Sequence, residues 1–426
     1  MSGQRAMVRY GQLTRANDDL KEPGKVPAAY RPTGDTEGYT FDPVKFDNAF
    51  TENNVPNGIF GAGMNVEINI DRQIEAKYTV GQRVYDAVSQ GMLDVTATIS
   101  GVFVPEHSDW LKFLFFNTPT PDTTTVTGQT TIKYVFDSST GPTADKLFDL
   151  FYVKKNSITT AGGNNEWGIL LGCAINSVQF QYESAGGDAS VNFTIDILAL
   201  APHLQLQSSA NSPSGWTEQN AQNILSGGCV SVKDTSAGEF SPIAQTDSAS
   251  ITINNNLEKR GNCLKLTASA YSMGPLSVEM STACYSNDPK KYLLKMYGVS
   301  DDTAVDTMIT PRGLLRKIPF LQIKSKVEDA ANKEYSLSIV STDAYIGSIN
   351  ASYDVNNAIM DEPTITVRGA EITVVYPTSS RGGAALSLGN PVLTQTEEPE
   401  PTGNDSPATS EEDPADGEDN NTEEQR

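Results

Sequence analysis

The sequence predicts a mainly β fold made of two duplicated antiparallel units, each a sandwich or barrel-like domain with one short helix. Three observations support this prediction: an internal repeat, apolar residues that alternate with polar ones, and a composition rich in Thr, Val, Ile, Ser, Asn and Gly. Apolar runs are short and are interrupted by turn-forming residues, as is typical of antiparallel sheets.

The repeat aligns two blocks of the chain without a gap. Residues 66–76 (VEINIDRQIEA) align with 249–259 (ASITINNNLEK), and 91–114 align with 274–297 at the same offset in residue number. Eight of these 35 columns are identical, whereas unrelated sequences would give about two. The apolar positions also keep the same phase. One chain therefore carries two copies of a β unit, which favours a pseudosymmetric assembly.

The chain divides into five segments. They are an N-terminal arm at 1–60, a first unit at 61–205, a connector at 206–245, a second unit at 246–377, and a linker with an acidic tail at 378–426. Strands of the first unit are predicted at 66–70, 93–104, 131–136, 147–154, 175–183 and 190–200, with a helix near 108–116. A short connector strand is predicted at 229–233. Strands of the second unit are predicted at 250–254, 276–285, 319–327, 336–340, 345–353 and 364–375, with a helix near 289–297.

The formal net charge of −22 is concentrated at the C-terminus. Residues 397–426 contain twelve acids, one Arg and no large apolar side chain, which predicts a disordered acidic tail. The remaining chain is also acidic, so a basic surface for sequence-independent nucleic-acid binding is not expected. No apolar run is long enough for a membrane-spanning helix or a secretory signal, so we expect synthesis in a cytoplasm.

Residues for catalysis or metal binding are not found at suitable spacing, so we expect no enzyme, no cofactor and no metal. His107 and His203 lack nearby partners for a catalytic triad or a zinc site. The glycine-rich run 58–63 (GIFGAG) precedes a strand instead of opening a helix, which does not fit a dinucleotide site. Four cysteines without CxxC spacing are expected to be free thiols: Cys173, Cys229, Cys263 and Cys284.

The polar positions of the alternating strands form the candidate functional surface. They carry neutral polar or acidic side chains and no Lys or Arg, so a polyanion would slide over them without being held. An ordinary hydrated sheet face is the open alternative. The predicted surface residues of the first unit are Glu67, Asn69, Asp71, Asp94, Thr96, Thr98, Gln179, Gln181, Glu183, Asn192, Thr194 and Asp196. Those of the second unit are Thr252, Asn254, Ser277, Glu279, Ser281, Asn350, Ser352 and Asp354.

The order of these motifs resembles the major tail tube proteins of tailed bacteriophages. An alternating strand, an Asn/Asp-rich turn and a Glu (INIDRQIE, ITINNNLE) are followed by a loop, an LxVTxTI-type strand and a short helix. The duplication is similar to siphophage tube proteins in which two tube domains are fused. The resemblance covers residues 61–377 and implies four lumen strands per domain, a helix outside them and trimeric rings with pseudo-sixfold symmetry.

Several functional expectations follow from this resemblance. It implies a virion protein, assembled in the host cytoplasm, whose rings stack into a tube that conducts DNA. Its implied partners are further copies of itself, the tape measure protein and genomic DNA in the lumen, and the tail terminator and distal tail proteins, with no membrane. Six domains with four strands each would form a barrel of 24 strands. The backbone of this barrel would be about 50 Å across and its bore about 40 Å wide. Polymer contacts are expected from the arm and from the loops 72–91 and 255–274.

Other classes of protein also fit the sequence. Paired acids such as Asp94 and Asp196 would suit a carbohydrate-active enzyme, and a β-sandwich adhesin would suit the strand content. A sheath or capsid protein is a nearer alternative.

Overall fold

The computed structural model describes residues 5–11, 24–42, 44–45, 58–78, 80, 84–85, 87–117, 120–121, 128–137, 139–155, 165–183, 190–207, 225, 228–233, 235–242, 246–261, 266–285, 317–328, 333–352 and 360–377. The chain divides into two units, 1–385 and 386–426, and all described residues belong to the first. The predicted acidic tail and the predicted helix at 289–297 lie outside the described residues.

Antiparallel strands dominate the described part of the chain, which confirms the predicted mainly β fold. The strands up to the connector are β1 (Arg5–Gly11), β2 (Ala62–Asp71), β3 (Ile74–Lys77), β4 (Ala87–Gln90), β5 (Asp94–Val102), β6 (Thr120–Pro121), β7 (Gln129–Val135), β8 (Phe148–Lys155), β9 (Asn165–Glu183), β10 (Val191–Ala199) and β11 (Ala201–Gln207). The later strands are β12 (Cys229–Lys233), β13 (Ser241–Pro242), β14 (Thr246–Asn254), β15 (Leu257–Gly261), β16 (Ala268–Met273), β17 (Ser277–Tyr285), β18 (Ile318–Glu328), β19 (Glu334–Ser352), β20 (Met360–Val367) and β21 (Gly369–Pro377).

Eight of these strands form one continuous antiparallel sheet that joins the two repeats. Their order is β2-β5-β10-β9-β14-β17-β20-β19. The first four strands come from the first repeat and the last four from the second. The two repeats meet where β9 pairs with β14, and we call this pairing the internal seam.

A second layer lies outside the eight-stranded sheet in each repeat. In the first repeat its order is β1-β8-β9-β11. In the second repeat it is β13-β12-β18-β19-β21-β7-β6. The 19-residue strands β9 and β19 run through both layers of their own repeats. Strand β7 of the first repeat pairs with β21 of the second, so the outer layers are also linked.

The pairing registers extend the repeat beyond the part that the sequence revealed. Strands β2 to β5 correspond to β14 to β17 at an offset of 183 in residue number. Equivalent pairings place β8 and β9 on β18 and β19 at an offset of 171, and β10 and β11 on β20 and β21 at 168. The second repeat is therefore shorter between β17 and β18 than the first repeat is between β5 and β8, which explains why the gapless alignment does not extend into β18.

A pair of turns shows the duplication in local geometry. Gln73 and Asn256, which occupy equivalent positions in the two repeats, both have positive φ (48° and 49°). The N–H of Gly91 donates to the carbonyl oxygen of Gln73 (3.0 Å), and that of Gly274 donates to Asn256 (2.9 Å). A Cβ on Gly91 would lie 3.1 Å from the Cβ of Gln73, and a Cβ on Gly274 would lie 2.9 Å from the Cβ of Asn256, so the close approach favours glycine at both positions.

The core lies between the eight-stranded sheet and the second layer of both repeats, and it includes the short helix of the first repeat. A 3₁₀ turn at Pro105–Trp110 leads into α1 (Leu111–Leu114), within the helix predicted near 108–116. Trp110 is fully buried and stacks on Phe180, with ring centroids 6.2 Å apart. The apolar residues that alternate with the polar ones in these strands pack in this core: Val66, Ile68, Ile70, Val95, Ile99, Val178, Phe180, Phe193, Ile195, Ile251, Ile253, Val278 and Met280.

Three strand predictions differ from the structure. The predicted strands 336–340 and 345–353 are one strand, because β19 continues past Asp343 although this residue takes a positive φ of 53°. The predicted strand 364–375 is two strands separated at Arg368, because β20 and β21 pair in different layers. Strand β9 begins at Asn165, well before its predicted start at 175.

Burial of both histidines predicts a loss of stability in mild acid. Burial, aided by the charge of Arg9, lowers the pKa of His107 to about 4 despite Asp109, and burial lowers the pKa of His203 to about 4. Because the unfolded chain takes up these protons near pH 6.5, the stabilisation present above pH 6.5 is lost as the pH falls towards 4. We expect the thermal midpoint to fall over this interval. The midpoint should fall less in the double variant His107→Asn with His203→Asn. An equally steep fall in that variant would show that the two histidines are not the cause.

Candidate functional site: the polar face of the eight-stranded sheet

Strand alternation separates the two faces of the eight-stranded sheet. Thr252 illustrates the pattern, since Ile251 and Ile253 on either side of it are buried whereas Thr252 is partly exposed. In register, Thr252 lies between Gln179 of β9 and Glu279 of β17. Cross-strand neighbours of an antiparallel sheet share a face. The polar side chains of both repeats therefore lie on one continuous surface, which we call the polar face.

The structure brings most of the predicted surface residues together on the polar face. Those with described side chains at these positions are Glu67, Asn69, Asp71, Asp94, Thr96, Thr98, Gln179, Gln181, Asn192, Thr194, Asp196, Thr252, Asn254, Ser277, Glu279 and Ser281. The strand register places three further predicted residues at positions that continue the alternation of the polar face: Glu183 in β9, and Asn350 and Ser352 in β19. Asp354 lies outside the described residues.

Hydroxyl groups hold one carboxylate in place near the middle of the first repeat. Thr98 Oγ1 donates to Asp196 Oδ1 (3.0 Å), and Ser177 Oγ donates to Asp196 Oδ2 (2.7 Å). In the second repeat Ser250 and Ser281 hydroxyls are 2.8 Å apart. These bonds satisfy polar groups within the face. Because no cation takes part in them, they do not neutralise the charge of the Asp196 carboxylate.

Two predicted residues cap turns at the edge of the polar face. Asp71 Oδ1 accepts a hydrogen bond from the N–H of Gln73 (3.0 Å), and Asn254 Oδ1 accepts one from the N–H of Asn256 (2.8 Å). Both are Asx turns, which short polar side chains form with the backbone two residues on. Their oxygens therefore stabilise the turn into the following hairpin.

The sequence prediction missed part of the polar face in the second repeat. Glu362, Thr364 and Thr366 of β20 are exposed and pair with β17 and β19. The sequence does not assign them to this face because its pattern predicts a single strand over 364–375. The alternation of Thr364, Ile365, Thr366 and Val367 was the available signal. Strand β20 completes the equivalence with β10 of the first repeat.

The charge of the polar face is almost wholly acidic. Within the eight strands, counting β9 from Ala174 and β19 from Tyr345, the sequence contains no Lys or Arg. Cations lie just outside these strands. Arg368 and Lys317 pair with Asp343 (3.4 and 2.7 Å), and the buried side chain of Lys259 in β15 reaches Asp94.

Lys259 joins the second repeat to Asp94 of the first. Its Nζ is 2.5 Å from Asp94 Oδ1 and also donates to the carbonyl oxygen of Val95. The lysine side chain is 7 % exposed and the aspartate side chain 40 %. Burial lowers the pKa of Lys259, while the hydrogen bond and charge of Asp94 act to raise it. Asp94 is thus a structural partner as well as a member of the polar face.

Removing the carboxylate of Asp94 is expected to destabilise the fold. Asp94→Ala should lower the free energy of unfolding by about 1–3 kcal/mol, because a buried ammonium group loses its charged acceptor. Lys259→Met keeps the apolar stem, and adding it to Asp94→Ala should recover part of the loss. Urea unfolding of the single and double variants measures this coupling. Strictly additive losses would show that the two groups do not interact.

The described residues contain no group of three or more His, Cys, Asp or Glu side chains arranged to hold a metal ion. Among those same residues, no helix is both long enough and apolar enough to cross a membrane.

Comparison with known proteins gives one family match. Residues 104–298 match the family model described as phage tail tube protein. The matched segment begins just after β5, includes the internal seam, ends after β17, and spans a little under half of the chain. No curated protein matches the chain. The match supports the interpretation that this chain is a structural protein of a phage tail and that it assembles with other tail components.

Proposed function

We propose, with the tail tube family match as the premise, that this chain is a tube subunit of siphophage type containing two fused tube domains. Three copies would form a ring in which their eight-stranded sheets close into one barrel of 24 strands. Stacked rings would form the tail tube, and its lumen would conduct DNA into the host cell. The polar face would line that lumen.

The continuous eight-stranded sheet is the observation that carries this proposal. Within the described residues, β2 pairs only with β5, and the second half of β19 pairs on this sheet only with β20. The sheet therefore ends in two unpaired edges. Unpaired edges of this length favour pairing with another chain. Because the two repeats already join edge to edge at the internal seam, the same joint between copies would leave no edge in a closed ring.

The repeat offsets give the register of this joint between copies. At the internal seam, Gln179 pairs with Thr252 and Gln181 with Ser250. Applying the offset of 171 to β9 and of 183 to β14 yields the equivalent pairs between β19 of one copy and β2 of the next. The proposed pairs are Ser348 with Asp71, Asn350 with Asn69, and Ser352 with Glu67.

The charge of the polar face suits a lumen through which DNA must pass. Carboxylates such as Glu67, Asp196 and Glu279 repel phosphate, and the neutral side chains between them offer no cation to retain it. A barrel of 24 strands gives a bore of about 40 Å, wide enough for duplex DNA. The same lumen would hold the tape measure protein before ejection, and terminator and distal tail proteins would close the two ends of the tube.

Electron microscopy of the purified protein over a concentration series tests the proposed function. We expect hollow rings or tubes whose bore matches that of the 24-stranded barrel. Their number should increase with concentration because assembly is a mass-action process. Folded chains that remain compact monomers at every concentration, including in the presence of preformed tail tips as initiators, would contradict the proposal.

The acidic tail is expected to be dispensable for ring formation. A chain truncated after Thr396 loses twelve acids and one Arg, which reduces the electrostatic repulsion between neighbouring copies. We expect this variant to form tubes at the same or a lower protein concentration. Light scattering against concentration measures the threshold, and a higher threshold for the truncated chain would show that the tail promotes assembly.

A further inference from the structure

Two equivalent hairpins have opposite environments. The first hairpin (β3–β4, residues 74–90) and the second hairpin (β15–β16, residues 257–273) occupy the same place in their repeats. Leu257 of the second hairpin is 7 % exposed, whereas its equivalent in the first, Ile74, is 65 % exposed. Six of the twelve exposed large apolar side chains among the described residues lie in or beside the first hairpin: Ile74, Tyr78, Val80, Val84, Tyr85 and Val88.

One face of the second hairpin is buried because it packs on the first repeat, whereas Leu266 and Met273 of the same segment are exposed. Leu257 belongs to an apolar cluster with Ala174 and Leu200, against which Tyr271 also packs. The Tyr271 hydroxyl lies 2.7 Å from the carbonyl oxygen of Gly172 and 2.8 Å from that of Leu198. These contacts continue the internal seam, since β15 follows directly after β14.

Backbone and side-chain bonds fix the start of the second hairpin on β9. The N–H of Asn255 donates to the carbonyl oxygen of Asn176 (2.7 Å), and the N–H of Leu257 donates to Asn176 Oδ1 (2.8 Å). The Asn255 side-chain amide is buried and donates to the carbonyl oxygens of Leu114 and Ile175. The second hairpin is therefore held by the first repeat through both polar and apolar contacts.

The first hairpin has one apolar and one polar face, like the second. Ala76 pairs with Val88, so Ile74, Ala76 and Val88 share one face. Glu75 and Lys77 form an ion pair on the other face. In the second hairpin the equivalent ion pair is Glu258 with Arg260, and it too faces away from the docked side.

We propose that the apolar face of the first hairpin docks on the second repeat of another copy, as the second hairpin docks on the first repeat of its own chain. The repeat offsets place the receiving surface around Tyr345 and Gly347 of β19, which are equivalent to Ala174 and Asn176. Tyr345 is one of the exposed large apolar residues and is 37 % exposed. The docking would remove both exposed apolar surfaces from water.

Paired changes between the repeats support this assignment. The positions equivalent to Lys259 and its partner Asp94 are Ala76 and Ser277. Both charges of the ion pair are therefore absent from the proposed hairpin contact between copies. Loss of only one partner would have left a buried charge without compensation. The sizes of the side chains at equivalent positions also change in opposite directions. The second hairpin has Tyr271 where the first has the smaller Val88. The surface that receives the second hairpin has Ala174, whereas the surface proposed to receive the first has the larger Tyr345.

This inference rests on the proposed ring, and cysteine cross-linking distinguishes the two. Ile74→Cys with Gly347→Cys reports the hairpin contact, and Asn69→Cys with Asn350→Cys reports the sheet joint. A side chain at Gly347 is accommodated, because its Cβ would lie 3.7 Å from the nearest atom, the carbonyl oxygen of Thr364. Leu257→Cys with Asn176→Cys is the matched control that should cross-link within one chain. Each single variant controls for reaction through the exposed Cys229.

Treatment of assembled protein with a short bis-maleimide is expected to give covalent dimers and trimers for both pairs between copies, and unlinked chains for the single variants. Rings that cross-link through residues 69 and 350 but not through 74 and 347 would overturn the hairpin docking and leave the proposed function standing. Folded chains that neither assemble nor cross-link through either pair would overturn both.

Discussion

Thr194→Lys combined with Thr252→Lys is expected to leave tubes intact and to slow DNA release by about tenfold or more. Both side chains lie in one row across the polar face, on either side of Gln179. In a ring of three copies the double variant introduces six lysines into the lumen. Each would bind phosphate in passing DNA and release counterions, so the retardation should weaken as the salt concentration rises.

Two controls separate a lumen effect from a general effect of charge. Thr194→Glu with Thr252→Glu adds charge at the same positions and should leave release rates close to those of the unaltered protein. Ser236→Lys adds a cation in an exposed turn outside the eight-stranded sheet and should also have little effect. Release from virions carrying each variant is followed with a DNA-binding dye. Unchanged release in the double lysine variant, with normal tubes, would remove the sliding-surface account of the polar face.

Trp110→Ala is expected to cause a loss of stability among the largest for a single substitution in this chain. Trp110 is fully buried between the eight-stranded sheet and the helix region, and its ring contacts Phe103, Phe180 and Phe193. Its Nε1 also donates to the carbonyl oxygen of Phe60 (2.9 Å). The cavity and the lost packing should lower the free energy of unfolding by about 3–5 kcal/mol.

Trp110→Phe provides the graded comparison for this prediction. It retains most of the aromatic volume but leaves the Phe60 carbonyl without its donor, so we expect a smaller loss of about 1–3 kcal/mol. Urea unfolding monitored by circular dichroism compares the two variants with the unaltered protein. Similar losses for both would show that the hydrogen bond, and not the packing of the ring, dominates at this position.

Local alternation predicted the polar positions of most strands of the eight-stranded sheet, but not those of β20. The patterns around Thr252 and Thr194 have a period of two, and burial of one face of a sheet makes that period strong. The repeat was visible only as far as residue 297 because insertions and deletions change the offset from 183 to 171 and 168 further along the chain. Pairing in the structure recovers the equivalence where sequence identity is lost.

The long-range contacts could not be predicted from the sequence. Nothing in the separate patterns of β9 and β14 indicates that these two strands pair and join the repeats into one sheet. The ion pair of Lys259 with Asp94 links residues far apart in the chain, so it depends on that joint. Asp343 and Gly347 resemble turn residues, yet β19 continues through them because its two halves pair in different layers. Tertiary pairing overrides local preference at these positions.

A cryo-electron microscopy reconstruction of the assembled tube tests the central proposal most directly. The account predicts threefold rings with pseudo-sixfold appearance, 24 strands around the lumen, the polar face inside, and β19 paired with β2 of the next copy so that Asn350 lies opposite Asn69. A ring in which β2 and β19 remain unpaired, or in which the polar face points outward, would contradict it.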